Sequence, residues 1–214
     1  MNKHITLLSA LAASLLLSAA AQAADTAELK VKGVIKPSAC TPTLTASGVV
    51  DYGTMTASTL KPGIYTTLPE KQVSMTVTCD AHTKVALLFT DNRAATRVTG
   101  IVGSTERFNF GLGSVAGKNI GGYTIKFDSS TTIDGVTVAN LHSTDAGATW
   151  STNTAYADTT GTYMSFATSG TTPSAGKVFT VALNVQAVIN KPENLPTTQD
   201  IPLDGSTTIE VKYL

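Results

Sequence analysis

The chain has 214 residues and a formal charge of zero, 15 Lys and Arg against 15 Asp and Glu, and only 14% of its residues are charged. A balanced charge without a basic run excludes the clustered positive field that nucleic-acid binding needs, and few charges with few long helix formers exclude a coiled coil or helical bundle. Thr occurs 36 times beside 17 Gly and 8 Pro, which favours strands joined by tight turns, and 42% hydrophobic content argues against global disorder.

Lys3 gives a short positive start, residues 5–21 are rich in Leu and Ala, and Ala21-Gln22-Ala23 has the small-x-small pattern of a cleavage site. This reads as a secretory signal peptide over residues 1–23. No other stretch reaches the ~18 apolar residues of a membrane span. Cleavage after Ala23 leaves 191 residues, enough for one well-filled core, and one domain is the expectation. An exported chain with two cysteines, Cys40 and Cys79, predicts a disulfide, worth roughly 4 kcal/mol by loop closure.

From residue 27 onward the chain reads as short strands. Ala27, Leu29, Val31, Gly33 and Ile35 alternate with Glu28, Lys30, Lys32 and Val34, so one face is apolar and the other mostly charged. Residues 49–52 (Val-Val-Asp-Tyr) make a short second run, ended by Gly53. Val73, Met75, Val77 and Cys79 share a face, and residues 85–89 form a continuous apolar run, the pattern of a strand buried on both sides. Phe108, Phe110 and Leu112 alternate, as do Tyr123, Ile125 and Phe127. Residues 128–176 are dense in Thr, Ser, Gly and Ala around Trp150, Tyr156, Tyr163 and Phe166; they read as an elaborated loop or hairpin excursion, with an ordinary core strand pair as the alternative. The longest strand signal is residues 177–189, with Phe179, Val181, Leu183, Val185, Ala187 and Ile189 on one side. The last is residues 207–214, with Ile209, Val211 and Tyr213 on one face. Asp91-Asn92, Gly121-Gly122, Asp134-Gly135, Asp204-Gly205 and the proline-containing residues 191–202 signal turns between them. Seven or more strands with regular turns and no amphipathic helix predict an all-β, immunoglobulin-like sandwich.

Catalytic and metal motifs fail. After signal removal His82 and His142 stand sixty residues apart with no acidic partner at ligand spacing, and read as surface or loop histidines. No GxSxG elbow occurs. Residues 111–119 resemble a phosphate loop, but Leu112 stands where the first Gly belongs and Asn119 replaces the hydroxyl that binds magnesium; a glycine-rich strand connection is the better reading. The expectation is a non-enzyme with no cofactor and no metal.

One arrangement is more specific. Residues 31–40 (Val-Lys-Gly-Val-Ile-Lys-Pro-Ser-Ala-Cys), the run Val73-x-Met75-x-Val77-x-Cys79 and the end Thr207-Thr-Ile209-Glu-Val211-Lys-Tyr213-Leu214 resemble the corresponding parts of chaperone–usher fimbrial subunits. The stretch from Cys40 to Gly53 also looks like a pilin-like periplasmic subfamily. The resemblance implies an incomplete immunoglobulin-like sandwich, spanning residues 37–214, that lacks its final strand. It implies a periplasmic chaperone, an outer-membrane usher and neighbouring subunits as partners. Residues 24–36 would hold a donor strand with Ala27, Leu29, Val31 and then Gly33 on its inserted face. Ile209, Val211, Tyr213 and the Leu214 carboxylate would form the groove and chaperone contact. The implied function is a structural subunit of a surface fimbria, exported through the periplasm to the cell surface, assembled by donor-strand exchange and contributing to adhesion. The competing reading is a self-contained periplasmic or surface binding module, in which residues 27–31 are simply a first strand and Trp150 stacks on a ligand such as a sugar.

Overall fold

A computed structural model describes residues 27–34, 39–103, 105–152 and 155–214, in two units, 27–34 and 39–214. The signal-peptide reading over residues 1–23, and Ile35 of the first alternating run, lie outside the described residues. Among the described residues no helix is long and apolar enough to cross a membrane.

The strands form where apolar residues recur at every second position. Eight longer strands carry the fold: β1 (Cys40–Leu44), β2 (Lys71–Thr83), β3 (Val85–Asp91), β4 (Gly121–Phe127), β5 (Ala139–Ser143), β6 (Tyr163–Ala167), β7 (Gly176–Ile189) and β8 (Thr207–Tyr213). All pairings are antiparallel. The first sheet has the order β1-β2-β7-β4, with a two-residue strand, Phe110–Gly111, beyond β4; the second has the order β5-β6-β3-β8. The inward faces of β2 (Val73, Met75, Val77, Cys79) and β7 (Phe179, Val181, Leu183) are buried. Phe127 meets Phe89 edge-on at 5.7 Å and Phe166 at 6.1 Å, and Phe166 lies 6.5 Å from Phe179, so aromatic rings join the two sheets. Each such side chain contributes about 1.5–3 kcal/mol by leaving water. The fold is an immunoglobulin-like β-sandwich.

The disulfide joins Cys40 to Cys79, which face each other directly in the β1–β2 register. Asp134-Gly135 is a two-residue turn with φ of 48° and 82°, the positive values that suit the twist of a hairpin. The phosphate-loop-like stretch folds as a hairpin, Ser114–Val115 against Lys118–Asn119, with Ala116 and Gly117 at φ 48° and 73° between them.

Several expectations are corrected. Residues 27–34 take no regular secondary structure, although their period of two predicts a strand: Leu29 and Val31 are 89% and 91% exposed. Alternation suits a segment to a strand, but a strand also needs a paired neighbour. Residues 49–52 also join no strand; there the Tyr52 hydroxyl, not the backbone, bonds β7, donating to Val185 O at 3.0 Å and accepting from Ala187 N at 3.1 Å. Phe108 ends a 3-10 turn (Glu106–Phe108) and stacks on Tyr156 at 5.4 Å, so only Phe110–Gly111 of that run is strand. Gly121-Gly122 is not a turn but the start of β4. A Cβ on Gly121 would sit 2.1 Å from Val188 O, and one on Gly122 2.1 Å from Asn109 Oδ1, so close approach rather than chain reversal demands glycine there. The segment 128–176 does contain a hairpin, β5–β6, but β6 pairs with β3, extending the second sheet and placing Leu141, Met164 and Phe166 in the interior.

Candidate functional site

In the seven-stranded immunoglobulin arrangement, four strands make one sheet, in the order first, second, fifth, fourth; the third, sixth and seventh make the other. Here β1-β2-β7-β4 reproduces the first sheet, and β3-β8 supplies the third and sixth places. Beside β8 the seventh place is unfilled: among the described residues β8 pairs with β3 alone, from Thr207 opposite Asp91 to Tyr213 opposite Val85.

The missing neighbour shows in the burial of single rungs. Phe89 and Leu87 on β3 are fully buried, whereas their partners on β8, Ile209 and Val211, are only half-buried against the same core. A cleft of about 340 Å³ opens there. Leu44, Val49 and Tyr52 form one wall; Leu203, Thr207 and Ile209 form the other; Val73, Ile125 and Leu183 of the first sheet form the floor. A second cleft, of about 330 Å³, continues from the shared Leu203 between Met55 and Leu60 on one side and Leu195 and Ile201 on the other. The groove therefore runs between the segment that follows β1 and the segment that leads into β8.

Local backbone chemistry keeps the walls apart. After Leu44 three residues, Ala46, Ser47 and Gly48, have positive φ (49°, 53° and 77°), which ends β1 and turns the chain off the sheet. The Thr45 hydroxyl then accepts from Ser74 N at 3.0 Å, and Tyr52 ties the far end of the wall to β7. Leu44, Val49 and Met55 are left exposed along this rim. The Cys40 amide donates to Tyr213 Oη at 2.8 Å, tying the start of β1 to the end of β8. On the opposite wall Arg93 pairs with Asp204 at 2.9 Å, and Asp204 N donates to Leu112 O at 3.0 Å.

Partly buried tyrosines stand in the lining of the cleft. Tyr123 bonds Thr207 Oγ1 at 2.6 Å within the lining, and burial pushes its phenol up to about 12 against the partial relief of that hydrogen bond. Burial likewise raises Tyr52, although the Ala187 amide opposes it. The solvent-facing side of β8 carries Glu210 and Lys212, which form an ion pair that raises the Lys212 ammonium.

Of the residues singled out by sequence, Ile209 lines the groove and Val211 packs half-buried beside it. Tyr213 and Leu214 are exposed; the Tyr213 hydroxyl is engaged by Cys40, and Leu214 N donates to Lys84 O at 3.1 Å. Trp150 is half-buried, and its indole N–H donates to Gly147 O at 3.0 Å in its own turn. His82 is an exposed histidine 3.8 Å from Asp134. His142 is not a loop residue: it lies on β5, half-buried, with Nδ1 buried and unbonded. Among the described residues no three His, Cys, Asp or Glu side chains gather as a metal site. Sequence reasoning missed Leu44, Tyr123, Leu203 and Thr207, because the groove unites segments from distant parts of the chain.

Residues 29–141, more than half of the chain, match the family model described as protein of unknown function (DUF1120). The chain belongs to this DUF1120 family. The matched span begins at Leu29 and takes in β1 to β4 and the rim of the groove. The chain is 31% identical to "Uncharacterized protein YhcF" of Escherichia coli (strain K12) over 234 residues, covering 95% of this chain and 97% of that protein. It is also 31% identical to "Protein GltF" of the same strain over 253 residues, covering 100% of this chain and 99% of that protein. Both similarities therefore extend well beyond the family match, into the second half of the chain.

Proposed function

We propose that this DUF1120 chain is an exported structural subunit of a surface fimbria whose open groove is filled by an extended β-segment of another chain. The observation that carries the reading is the edge of β8 that no described residue pairs, with a two-part apolar groove beside it, in an immunoglobulin-like frame that otherwise has all six preceding strands. An uncovered edge with exposed apolar lining is an aggregation hazard, so a chain of this shape needs a partner from the moment it folds. Strand addition answers both needs: backbone bonds to β8 satisfy the edge, and alternate side chains fill the pockets. A periplasmic chaperone is the first occupant in this reading, and a neighbouring subunit delivered at an outer-membrane usher is the second. The resemblance at Cys40, Cys79 and the two alternating ends points the same way. The reading assigns no catalytic residue.

The test is amide hydrogen exchange on the full chain, alone and with an extended peptide of alternating apolar and charged residues. The outward amides of β8 should exchange freely in the monomer and become protected with peptide, and Ile209→Asp should abolish that protection. Outward amides already protected in the monomer, or left unprotected by every alternating peptide and by a co-expressed chaperone, would overturn the proposal.

A further inference from the structure

The segment that walls the groove presents a methionine to solvent. Asp51 Oδ1 accepts from Gly53 N at 2.7 Å, and the Lys71 ammonium donates to Asp51 O at 2.6 Å, which fixes the chain before Met55. Thr56 O accepts from Thr59 N at 3.0 Å and from Thr59 Oγ1 at 2.8 Å, which fixes the chain after it in a 3-10 turn, Ala57–Thr59. Between these anchors Met55 is 40% exposed and lines the second cleft with Leu60, Leu195, Ile201 and Leu203. Its thioether is thus held at the rim of the groove without being packed into the core.

The other sulfur atoms among the described residues are out of reach. Met75 on β2 and Met164 on β6 are each 1% exposed and belong to the core. Cys40 and Cys79 are joined in the disulfide, which leaves no free thiol. Met1 lies outside the described residues. Oxidation of a thioether follows the access of the oxidant to sulfur. A peroxide therefore meets Met55 on the folded chain, whereas Met75 and Met164 react only after the sandwich has opened.

We propose that Met55 is a reversible oxidation site that switches the groove off, with hydrogen peroxide or another peroxide as the oxidant. This rests on the strand-addition reading above and names a regulation of the same groove. The sulfur lone pair attacks a peroxide oxygen; the S–O bond forms as the O–O bond breaks, sulfur is oxidised to the sulfoxide, and hydrogen peroxide is reduced to water. A methionine sulfoxide reductase reverses the step with an electron pair and protons from a dithiol, releasing the oxygen as water. The change converts a flexible apolar side chain into a polar one. Water satisfies the new oxygen while the groove is empty; a strand laid across the rim displaces that water, so the oxide costs the filled groove more than the empty one. By linkage the effect is reciprocal: an added strand shields the sulfur. Peroxide therefore marks empty subunits and spares filled ones.

The experiment treats the full chain with dilute hydrogen peroxide, maps the added oxygen by peptide mass spectrometry, and follows β8 amide protection by an alternating peptide before treatment, after it, and after a methionine sulfoxide reductase. Met55 should gain oxygen at least about tenfold faster than Met75 or Met164, and bound peptide should slow it. The oxidised chain should need about tenfold more peptide for the same protection, and the reductase should restore it. Met55→Leu, whatever its own affinity, should bind peptide equally before and after peroxide. Circular dichroism checks that each form is folded. Oxidation of Met75 or Met164 as fast as Met55, or a Met55→Leu chain that still loses peptide on treatment, overturns the site. A reduced chain that binds peptide and binds it as well when oxidised at Met55 overturns the switch and leaves the groove reading standing. A reduced chain whose β8 no alternating peptide protects overturns the groove reading and the switch with it.

Discussion

Tyr123 shows how one residue reports on the open groove. Its ring stacks on Phe110 at 5.4 Å, and its hydroxyl meets Thr207, so the phenol is buried although it lines a cleft. In the folded chain it ionises at about 12, whereas an exposed tyrosine ionises near ~10. Between these values the folded state keeps a proton that the unfolded state has released. Its stabilisation is therefore complete below pH ~10 and is lost as pH rises to about 12, an effect on the order of 3 kcal/mol. Tyr52 shifts in the same direction. Urea midpoints measured across this alkaline range should fall steeply for the wild type and more gently for Tyr123→Phe. An identical slope in the variant would show that the phenol is not buried as described. That Tyr123 belongs to a strand was readable from its alternation with Ile125 and Phe127; that its hydroxyl faces β8 was not, because Thr207 is 84 residues away in sequence.

At the level of elements, the disulfide supports a strand too weak to hold itself. β1 has five residues, four of them exposed, and among the described residues it pairs with β2 alone. Cys40 is nevertheless the residue whose amide ties β1 to Tyr213 at the end of β8, and the chain leaving β1 builds the wall from Leu44 to Tyr52. Replacing Cys40 and Cys79 by Ala should cost roughly 4 kcal/mol by loop-closure entropy. The larger sign should be functional: protection of β8 by an added strand should drop with the lost wall, even in dilute denaturant where the remaining sandwich is folded. Unchanged strand binding in the folded double variant would show that the disulfide plays no part in shaping the groove.

The same contrast explains what the sequence revealed of the elements. β2, β4, β7 and β8 announce themselves because one face packs on the core at every second residue, and β3 because both faces are covered in mid-sheet. β5 and β6 are camouflaged by polar, small-residue surroundings, although Leu141, Met164 and Phe166 are core residues. Residues 27–34 and 49–52 carry strand-like residues without a strand. In the second case a side-chain hydroxyl takes over the bonding, and in the first no strand pairing is found among the described residues. Pattern records what a segment is suited to; pairing also requires a neighbour.

If residues 24–36 of a neighbouring copy supply the strand, as the resemblance implies, donor and acceptor lie on different parts of one chain. A contact of that kind is heterologous: it does not close on itself, and it extends into an open fibre. Residues 34–39 separate the proposed donor strand from β1, so the bodies of successive subunits stand within about 20 Å of the acceptor edge even when this connection is fully extended. Each subunit then has two independent ends, and each can be disabled alone. Leu29→Asp with Val31→Asp removes donation but leaves the groove; Ile209→Asp spoils the groove but leaves the donor. Either variant alone should be monomeric. Mixed in equal amounts they should form dimers and nothing larger, since only one productive donor–groove pair remains in each dimer. Added in small proportion to the wild type, either should shorten assemblies from one end. Mass measurement of the mixture decides: species longer than dimers would mean that a second surface drives assembly, and a mixture of monomers alone would mean that the donor and the groove do not meet.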